Sequence, residues 1–349
     1  PDVTSKILPF SSDDSSNPED LWAFLQSYET EYGGNAIAIP HNGNLSRGAM
    51  FKLQTTDDKP LSKGYAEARA RWEPIYEVTQ IKGDSETHPQ LSPDDEFADF
   101  ETWPPAAWGQ EYGGELASYA RSALKEGLRQ EAELGVNPFQ FGMIGSTDAH
   151  TGLATADENN FMGKMGLQEP SLYRASQDWY YSASGYAAVW AKENTRESLF
   201  AALKRRETYA TTGPRMTVRF FGGWAYAASD LQAADPARIG YMRGVPMGGE
   251  LAGAPQDAAP SFLIIATRDP DDASLDRVQV VKGWLDRNGD LQEKVFDVAE
   301  ADSPMGRAEL ATVWTDPEFD ADGRALYYVR VIQIPTPRWT AYDAIRFSL

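Results

Sequence analysis

The stretch Phe139-Gln-Phe-Gly-Met-Ile-Gly-Ser-Thr-Asp-Ala-His150 joins a short apolar run to a polar turn that carries an aspartate and a histidine. The apolar run is typical of a buried strand. Residues 113–134, which precede it, have the alanines, leucines and paired charges of a helix, and Pro74-Ile-Tyr-Glu-Val-Thr-Gln-Ile81 has strand character again. The order strand, helix, strand predicts a parallel α/β sheet or barrel.

The chain before this unit follows the same order. Ser16 or Asn17 caps a predicted helix, and the pair Gly33-Gly34 ends it. The apolar run Asn35-Ala-Ile-Ala-Ile-Pro40 then predicts a buried strand, and residues 62–72 have the pattern of a second helix.

From about residue 216 the pattern changes to short β-rich runs between Gly, Pro, Asp and Asn turns. These runs are residues 216–221, 261–267, 277–281, 310–314 and 325–334. The Asn-Gly step within Asp286-Arg-Asn-Gly-Asp290 is typical of a β-hairpin. We therefore predict two domains, an α/β domain over residues 1–215 and an all-β, sandwich-like domain over residues 216–349.

The amino-acid composition limits the kinds of molecule that this protein is expected to bind. The 349 residues carry 52 acidic and 32 basic side chains, which gives a net charge of −20. So acidic a surface repels nucleic-acid phosphates and anionic lipid headgroups, so neither is expected as a partner. The absence of cysteine excludes disulfides and thiolate metal sites. The chain has no run of about 18 apolar residues, so no membrane span is predicted.

The chain has three histidines, and each follows a predicted strand. His41 and His150 lie in turns directly after strands, and His88 lies in a loop a little further along. Imidazole nitrogens and carboxylates bind divalent ions such as zinc, manganese and iron. Since α/β barrels and open parallel sheets place their active sites at the carboxyl ends of strands, we predict a divalent-metal site. Its ligands are His41, Asp148 and His150, with Glu77 and His88 as further ligands.

Each of these residues also has a plain structural explanation. In this explanation, Asp148 caps the next helix, His150 fills a polar gap, and His41 lies in an Asn-Gly turn without a functional role. Glu77 lies within a strand, where a buried carboxylate needs a metal or another cation. The direction of the His88 side chain stays open, and a surface position explains it as well as metal binding does.

The segment Thr211-Thr-Gly-Pro-Arg215 offers hydroxyls, a flexible glycine and one guanidinium. Such a turn can hold an oxyanion, which makes Arg215 a catalytic candidate beside Asp148. A plain helix-to-strand connection explains the segment equally well. The Gly-rich phosphate loop, the Gly-x-Ser-x-Gly elbow and the His-Glu-x-x-His helix are all absent from the sequence.

Six strings together resemble a bacterial family known as domain of unknown function 3604, and they are spread over most of the chain. They are Ala38–Asn44, Glu77–Pro89, Ile144–His150, Glu193–Leu199, Tyr209–Arg215 and Ile334–Trp339. That family is similar in turn to the polymerase-and-histidinol-phosphatase (PHP) superfamily. Members of this superfamily have a distorted α/β barrel with two or three metal ions, and many of them hydrolyse phosphoesters.

The resemblance implies a distorted (β/α) barrel of the PHP type, which belongs to the TIM-barrel class. It implies that His41, Asp148 and His150 are ligands, and that Glu77 matches a strand-borne glutamate of the PHP pattern. The first motif of that pattern, a His-x-His near the start of the barrel, is absent. The resemblance therefore implies that this chain is the C-terminal portion of such a protein, with its first strands in an N-terminal segment or in another chain.

The residues and the resemblance together predict a metal-dependent hydrolase of the phosphoesterase type, in which a metal-activated water attacks a small-molecule phosphoester. Two alternatives stay open. In the first, the chain is a non-catalytic periplasmic ligand-binding protein, whose loop over residues 151–186 and ten tryptophans hold a ligand. In the second, it is one half of a split or processed enzyme that needs its N-terminal segment. The resemblance implies a periplasmic or secreted location, and the cytoplasm stays open.

Overall fold

The computed structural model describes residues 7–106, 110–166, 169, 171, 173–256 and 258–348. Helix α1 spans Pro18–Tyr32, and the side chain of its cap, Asn17, accepts a hydrogen bond from the second helical N–H. Gly33 ends α1 in the left-handed conformation, with φ 65°. Helix α2 spans Lys63–Trp72 and begins at the cap Ser62. The predicted ends of both helices are confirmed.

A small sheet carries the parallel strands. Strand β1 spans Ile75–Gln80, β2 spans Gly83–Asp84 and β3 spans Gly142–Gly145, in the sheet order β2-β1-β3. Strands β1 and β3 are parallel, whereas β1 and β2 are antiparallel. Helix α3, Ala120–Leu134, lies between β2 and β3 in the chain. The buried residues of this part include Trp22, Phe51, Tyr65, Trp72, Tyr76 and Phe139.

A second, antiparallel pair lies beside β3. It consists of β4, Tyr186–Val189, and β5, Thr208–Thr211. The hydroxyl of Thr208 donates to the Met143 carbonyl at 3.2 Å, which holds β5 against β3. Two helices flank the pair in the chain: α4 spans Arg174–Gln177 and α5 spans Arg196–Lys204.

Two antiparallel sheets build the C-terminal part and pack face to face. Their strands are β6 (Thr217–Gly223), β7 (Gly244–Pro246), β8 (Ser261–Thr267), β9 (Leu275–Leu285), β10 (Leu291–Glu300), β11 (Glu309–Thr315) and β12 (Arg324–Gln333). One sheet has the order β11-β8-β6-β7 and the other has the order β10-β9-β12. Between them lies an apolar core in which Ile264 of β8 and Val278 and Val280 of β9 have no exposed surface.

Two further helices belong to this part of the chain. Helix α6, Pro236–Arg243, precedes β7, and helix α7, Trp339–Phe347, follows β12. Helix α7 packs against the segment after β3: the Trp339 ring stacks on Phe161 at 4.5 Å between centroids, and Asp343 forms an ion pair with Arg174 at 2.6 Å. The boundary predicted between residues 215 and 216 stays a prediction.

The prediction of a distorted (β/α) barrel is wrong. In the described part of the chain the strands form four small sheets, most of their pairings are antiparallel, and none of the sheets closes on itself. A barrel needs every strand paired on both sides. Among the strands of the described residues, parallel pairing is confined to β1 and β3: residues 85–106 and 110–119 contain no strand, and the next strands, β4 and β5, pair antiparallel.

The strand predicted over residues 35–40 is also wrong. Single hydrogen bonds hold this segment instead of a ladder: the Ala38 N–H donates to the Trp72 carbonyl at 2.7 Å, and the Pro40 carbonyl accepts from the Glu77 N–H at 3.0 Å. Ile39 stays 41% exposed, so the run is not buried as a central strand would be. The segment still brings the turn that follows it against β1.

A buried ionic network joins α3 to the C-terminal sheets. We call it the Arg121 network, and its members are Glu86, Asp95, Arg121, Glu293, Tyr328 and Arg330. The guanidinium of Arg121 donates to Glu86 Oε1 at 2.6 Å, to Asp95 Oδ2 at 2.7 Å, to Glu293 Oε1 at 3.0 Å and to the Tyr328 hydroxyl at 2.7 Å. Its side chain is 1% exposed. The network therefore fixes β10 and β12 against α3.

Among the described helices, none is both long and apolar enough to cross a membrane.

Candidate functional site

The candidate site lies where the parallel strands β1 and β3 end. The Ser146 N–H donates to the Thr79 carbonyl at 3.1 Å, and the Ile81 N–H donates to the Thr147 carbonyl at 3.3 Å. These bonds keep the turns after both strands side by side, at the sheet edge where α/β proteins usually place their active sites. We call the charged side chains gathered there the Asp148 cluster: Glu77, Lys82, Asp148, His150 and Lys164.

Asp148 lies at the centre of the Asp148 cluster. Its backbone has φ 44°, a left-handed conformation that aspartate tolerates better than most residues. Its Oδ2 forms ion pairs with the Lys82 ammonium and, at 2.9 Å, with the Lys164 ammonium. Its Oδ1 faces Nε2 of His150 at 3.5 Å. One carboxylate thus gathers two ammonium groups and one imidazole.

Lys82 reaches the cluster from the turn between β1 and β2. Its N–H donates to the Gln80 side chain at 2.7 Å, and its carbonyl accepts from the Asn44 amide at 2.9 Å. The Gln80 amide donates in turn to Asn42 Oδ1 at 2.6 Å. The two asparagines therefore position the lysine. Burial and the neighbouring Lys164 ammonium lower the pKa of Lys82 to about 7.

Lys164 and His150 approach from the segment after β3. The His150 N–H donates to the Lys164 carbonyl at 2.5 Å, which aligns the two backbones. The Lys164 side chain is 6% exposed and the His150 side chain is 58% exposed, so the imidazole lies on the solvent side of the cluster. Burial lowers the pKa of Lys164. The Lys164 charge lowers the pKa of His150, which favours the neutral imidazole that binds metals.

Glu77 lies on β1 and is 9% exposed. Its Oε2 accepts a hydrogen bond from the Ser146 hydroxyl, whereas its Oε1 is buried without a hydrogen-bond partner. Its charge partly opposes the lowering of the pKa of both Lys82 and Lys164, so it belongs electrostatically to the same cluster. A buried acceptor without a donor costs about 1–3 kcal/mol. Such an atom marks a position for a proton donor or a cation.

The donor set fits a divalent ion in part. Asp148 and His150 supply two ligand atoms 3.5 Å apart, and Oε1 of Glu77 is a further buried oxygen without a hydrogen-bond partner. Across the described residues, no three His, Asp or Glu side chains converge closely enough to hold an ion. Catalytic zinc sites usually take three protein ligands. Hard ions such as Mg²⁺ or Mn²⁺ accept one or two carboxylates and complete their shell with water and substrate. The residues present therefore fit a hard ion better than zinc.

The structure places the His41 turn beside the site. The His41 side chain is exposed. Gly43, two residues further along, holds the turn in place. Its N–H donates to the Tyr76 hydroxyl at 3.1 Å, and a Cβ at this position would collide with Tyr76 and with the Ser118 backbone. The turn thus contributes the asparagine side chains that support Lys82. Metal binding by His41 stays a prediction.

His88 lies in different surroundings. Its ring contacts Tyr119 at 5.5 Å between centroids, and its Nδ1 accepts from the Gln90 N–H at 3.2 Å. Burial lowers the pKa of His88, and the nearby Glu115 carboxylate opposes that effect. These neighbours come from the loop before α3, and none of them belongs to the Asp148 cluster. A ligand role for His88 stays a prediction.

Arg215 also lies elsewhere. Its N–H donates to Asp269 Oδ2 at 2.6 Å, and its guanidinium carbon lies 5.7 Å from the Tyr186 ring centroid. The exposed side chain lines a wide cleft of about 1650 Å³ that residues of both halves of the molecule enclose. Asp148 is not part of that lining. A catalytic role for Arg215 beside Asp148 stays a prediction.

The sequence patterns did not single out Lys82 and Lys164. Lys82 lies two residues after the end of β1, and this position at a strand end is the signal that could have marked it. Lys164 lies in an irregular glycine-rich segment and carries no such signal. Because lysines are almost always solvent-exposed, only the folded structure shows that both are buried at one carboxylate.

A model of the family described as "Protein of unknown function (DUF3604)" matches residues 1–305 and 300–349. The chain belongs to this family, as the six strings predicted. No curated protein and no solved structure matches the chain.

Proposed function

We propose that this member of the DUF3604 family is a metal-dependent hydrolase whose active site is the Asp148 cluster, with phosphoesters as its substrates. One observation carries the proposal: at the carboxyl ends of β1 and β3, the donor pair of Asp148 and His150 lies beside a buried carboxylate, Glu77, with an unused oxygen. The likeness of the strings around these residues to the PHP superfamily supports the choice of phosphoesters.

The side chains divide the work by their positions. Asp148 and His150 would hold the ion, because Oδ1 and Nε2 lie 3.5 Å apart and the His150 side chain is exposed to solvent. When bound, a divalent ion lowers the pKa of a water and polarises the ester. Oε1 of Glu77 is an acceptor without a donor, so it is suited to take the proton that the attacking water loses. The Ser146 hydroxyl fixes the other oxygen of that carboxylate.

Further parts of this proposal rest on the resemblance. They are a role for His41 as an additional ligand, a small-molecule substrate, a periplasmic or secreted location, and a preceding segment with a His-x-His motif. Each can be measured directly. The mass and N-terminal sequence of the natural protein, which test for a preceding His-x-His segment, come first.

The decisive experiment compares metal content in matched variants. The purified protein is dialysed against Mn²⁺, Mg²⁺ or Zn²⁺, freed of excess ion and analysed for bound metal, and phosphomonoester and phosphodiester hydrolysis is measured beside it. We expect Asp148→Ala/His150→Ala to lose the metal and the activity. His88→Ala is the control, because it removes a histidine outside the cluster. An unchanged metal content in the double variant would show that Asp148 and His150 do not bind the metal.

One observation favours a second function, ligand binding without chemistry. Tyr173 and Trp179 are 65% and 53% exposed on the segment that follows Lys164, and exposed aromatic rings suit carbohydrate and other flat ligands. This function predicts tryptophan fluorescence changes on ligand addition that persist in EDTA. The hydrolase predicts changes that EDTA abolishes.

A further inference from the structure

The two buried lysines of the Asp148 cluster share one carboxylate oxygen. Both ammonium groups form ion pairs with Oδ2 of Asp148. Lys164 also donates to the Asp148 carbonyl at 3.0 Å, and its ammonium nitrogen lies 3.4 Å from Nε2 of His150. Lys82 and Lys164 are each 6% exposed as residues. Each ammonium group has three N–H donors, so donors are in excess at this one residue.

The neighbouring carboxylate shows the opposite imbalance. Oε1 of Glu77 is buried without a donor, although both lysines are close enough for its charge to act on them. A cluster that serves stability alone is expected to distribute its donors over its acceptors, because an unpaired buried charge is costly. The uneven distribution indicates that the lysine donors have another partner when the site is at work.

Charge identifies the class of that partner. With both lysines protonated, the charges of the two lysines and the two carboxylates of the cluster sum to zero. A divalent ion on Asp148 would add two positive charges and would compete with the ammonium groups for the same carboxylate. The site would then be complementary to a doubly charged anion. A phosphate monoester carries about −1.5 to −2 at neutral pH, whereas a diester carries a single negative charge.

We propose that Lys82 and Lys164 bind the non-bridging oxygens of the substrate and select a doubly charged ester over a singly charged one. This inference rests on the proposed function. Lys82 is held for the task by the Asn44 and Gln80 side chains, and Lys164 by the pairing of its backbone with His150. Ammonium groups bind phosphate oxygens as compact point charges.

The test measures binding and not turnover. Phenyl phosphate and diphenyl phosphate are titrated into the Mg²⁺-loaded protein in a calorimeter, and Mg²⁺ binding is measured separately. We expect the wild-type protein to bind the monoester at least about tenfold more tightly than the diester. Lys82→Gln and Lys164→Gln each remove one charged hydrogen-bond donor, which weakens monoester binding by about 10- to 100-fold. Both variants should retain Mg²⁺.

Two further variants separate charge from structure. Lys294→Gln removes a lysine of the C-terminal sheets whose side chain is 45% exposed, and it should bind the monoester like the wild type. Lys164→Arg keeps the positive charge and should retain most of the affinity. If a glutamine variant lacks a cooperative unfolding transition, the role of the lysines is judged from monoester binding by Lys164→Arg and from the preference of the wild-type protein for the monoester over the diester.

The outcomes separate this inference from the function it rests on. Unchanged monoester binding in both glutamine variants, or equal binding of the two esters by the wild type, overturns the role of the lysines while the metal site stands. A wild-type protein that binds neither Mg²⁺ nor either ester overturns both.

Discussion

The Arg121 network and the Asp148 cluster are both buried groups of charged side chains, and they are built differently. In the Arg121 network, two arginines face three carboxylates through several separate hydrogen bonds, and in the described part of the chain none of its buried side-chain nitrogen or oxygen atoms lacks a partner. In the Asp148 cluster, two lysines crowd one oxygen of Asp148 while an oxygen of Glu77 has no donor.

The difference follows from the chemistry of the two cations. A guanidinium is planar and presents five donors in a fixed fork, so it can satisfy several carboxylates at once. An ammonium group is a compact charge that exchanges partners easily. Arginine therefore suits a permanent joint between α3 and the C-terminal sheets, and lysine suits a site that has to accept a ligand.

Position supports the same distinction. Arg121 is 1% exposed and lies between two layers of the molecule. The Asp148 cluster ends in an imidazole that is 58% exposed, and its central residue adopts a left-handed backbone conformation. Strained backbone and incomplete hydrogen bonding concentrate at functional sites. Substitutions in the Arg121 network should thus act on stability, and those in the Asp148 cluster on binding.

The largest expected effect on stability comes from Arg121→Met. The substitution roughly keeps the length of the side chain but removes one of the two guanidiniums that the buried carboxylates Glu86 and Asp95 share. Breaking a buried ionic network in this way costs about 3–5 kcal/mol. Urea unfolding monitored by tryptophan fluorescence measures the loss.

The control for that variant is on the same helix. Arg129 pairs with Glu126 at 2.5 Å, and its side chain is 35% exposed. An ion pair of this kind contributes about 0–1 kcal/mol, so Arg129→Met should change stability little. Equal losses in the two variants would show that the Arg121 network contributes no more than a surface pair.

The second-largest effect on stability is expected from acid, which should weaken the Arg121 network. Burial alone raises the pKa of Asp95, but the Arg330 and Arg121 guanidiniums outweigh it and hold the pKa at about 2. The ordinary aspartate pKa is about 3.9, so this group contributes stability above about pH 4 that is lost as pH falls to about 2, on the order of 2 kcal/mol. Glu86 acts in the same direction, because the Arg121 and Arg330 charges hold its pKa low against the effect of burial.

Asp84 has the opposite pH dependence. Burial and then the Glu86 charge raise its pKa to about 7. Because the folded state then binds the extra proton, this group lowers stability as pH rises from about 4 to about 7. Urea unfolding between pH 2 and pH 8 should therefore show its maximum near pH 4–5. In Asp95→Asn the loss below pH 4 should shrink, and an unchanged acid limb in that variant would contradict the assignment to Asp95.

Local signals explain which elements the sequence predicted well. Helix α1 is marked by a cap at Asn17 and a left-handed end at Gly33, which are properties of a few neighbouring residues. The hairpin between β9 and β10 is marked in the same way by residues 286–290, where the Asp286 N–H donates to the Asp290 carbonyl at 2.9 Å. Barrel closure has no local signal, because it depends on the partners that distant strands find. Strands β1 and β3 have the same pattern in a barrel and in a small open sheet.

The candidate site divides along the same line. Asp148 and His150 were predictable because they directly follow an apolar run, which fixes their place at a strand end. Glu77 was predicted by a different argument, because it lies within a strand, where a buried carboxylate needs a metal or another cation. The meeting of Lys82 with Lys164 depends on a loop that packs back across the sheet edge, and no pattern within either segment predicts that contact.

A smaller effect on stability is expected from Ser146→Ala. The Ser146 hydroxyl donates to Oε2 of Glu77, and the substitution leaves that buried oxygen without this donor. We expect a loss of about 1–2 kcal/mol. Ser176→Ala is the control, since its exposed hydroxyl donates to the Tyr173 carbonyl at 2.9 Å and should contribute little. If Ser146→Ala leaves the free energy of unfolding unchanged, the lysines alone compensate the Glu77 charge, and the cluster then resembles the Arg121 network.

The smallest effect on stability should come from the residue with the most direct role in binding. The His150 side chain is 58% exposed, so His150→Gln should change the free energy of unfolding by no more than about 0.5 kcal/mol. The same substitution removes an imidazole ligand of the proposed site, and metal affinity should fall by at least about tenfold, since even supporting residues around a metal contribute that much. His88→Gln, titrated with Mn²⁺ under the same conditions, should keep the wild-type affinity. If His150→Gln instead unfolds the protein at lower urea and binds Mn²⁺ normally, the imidazole is a structural partner of Asp148, and the contrast between the two clusters reduces to one of composition.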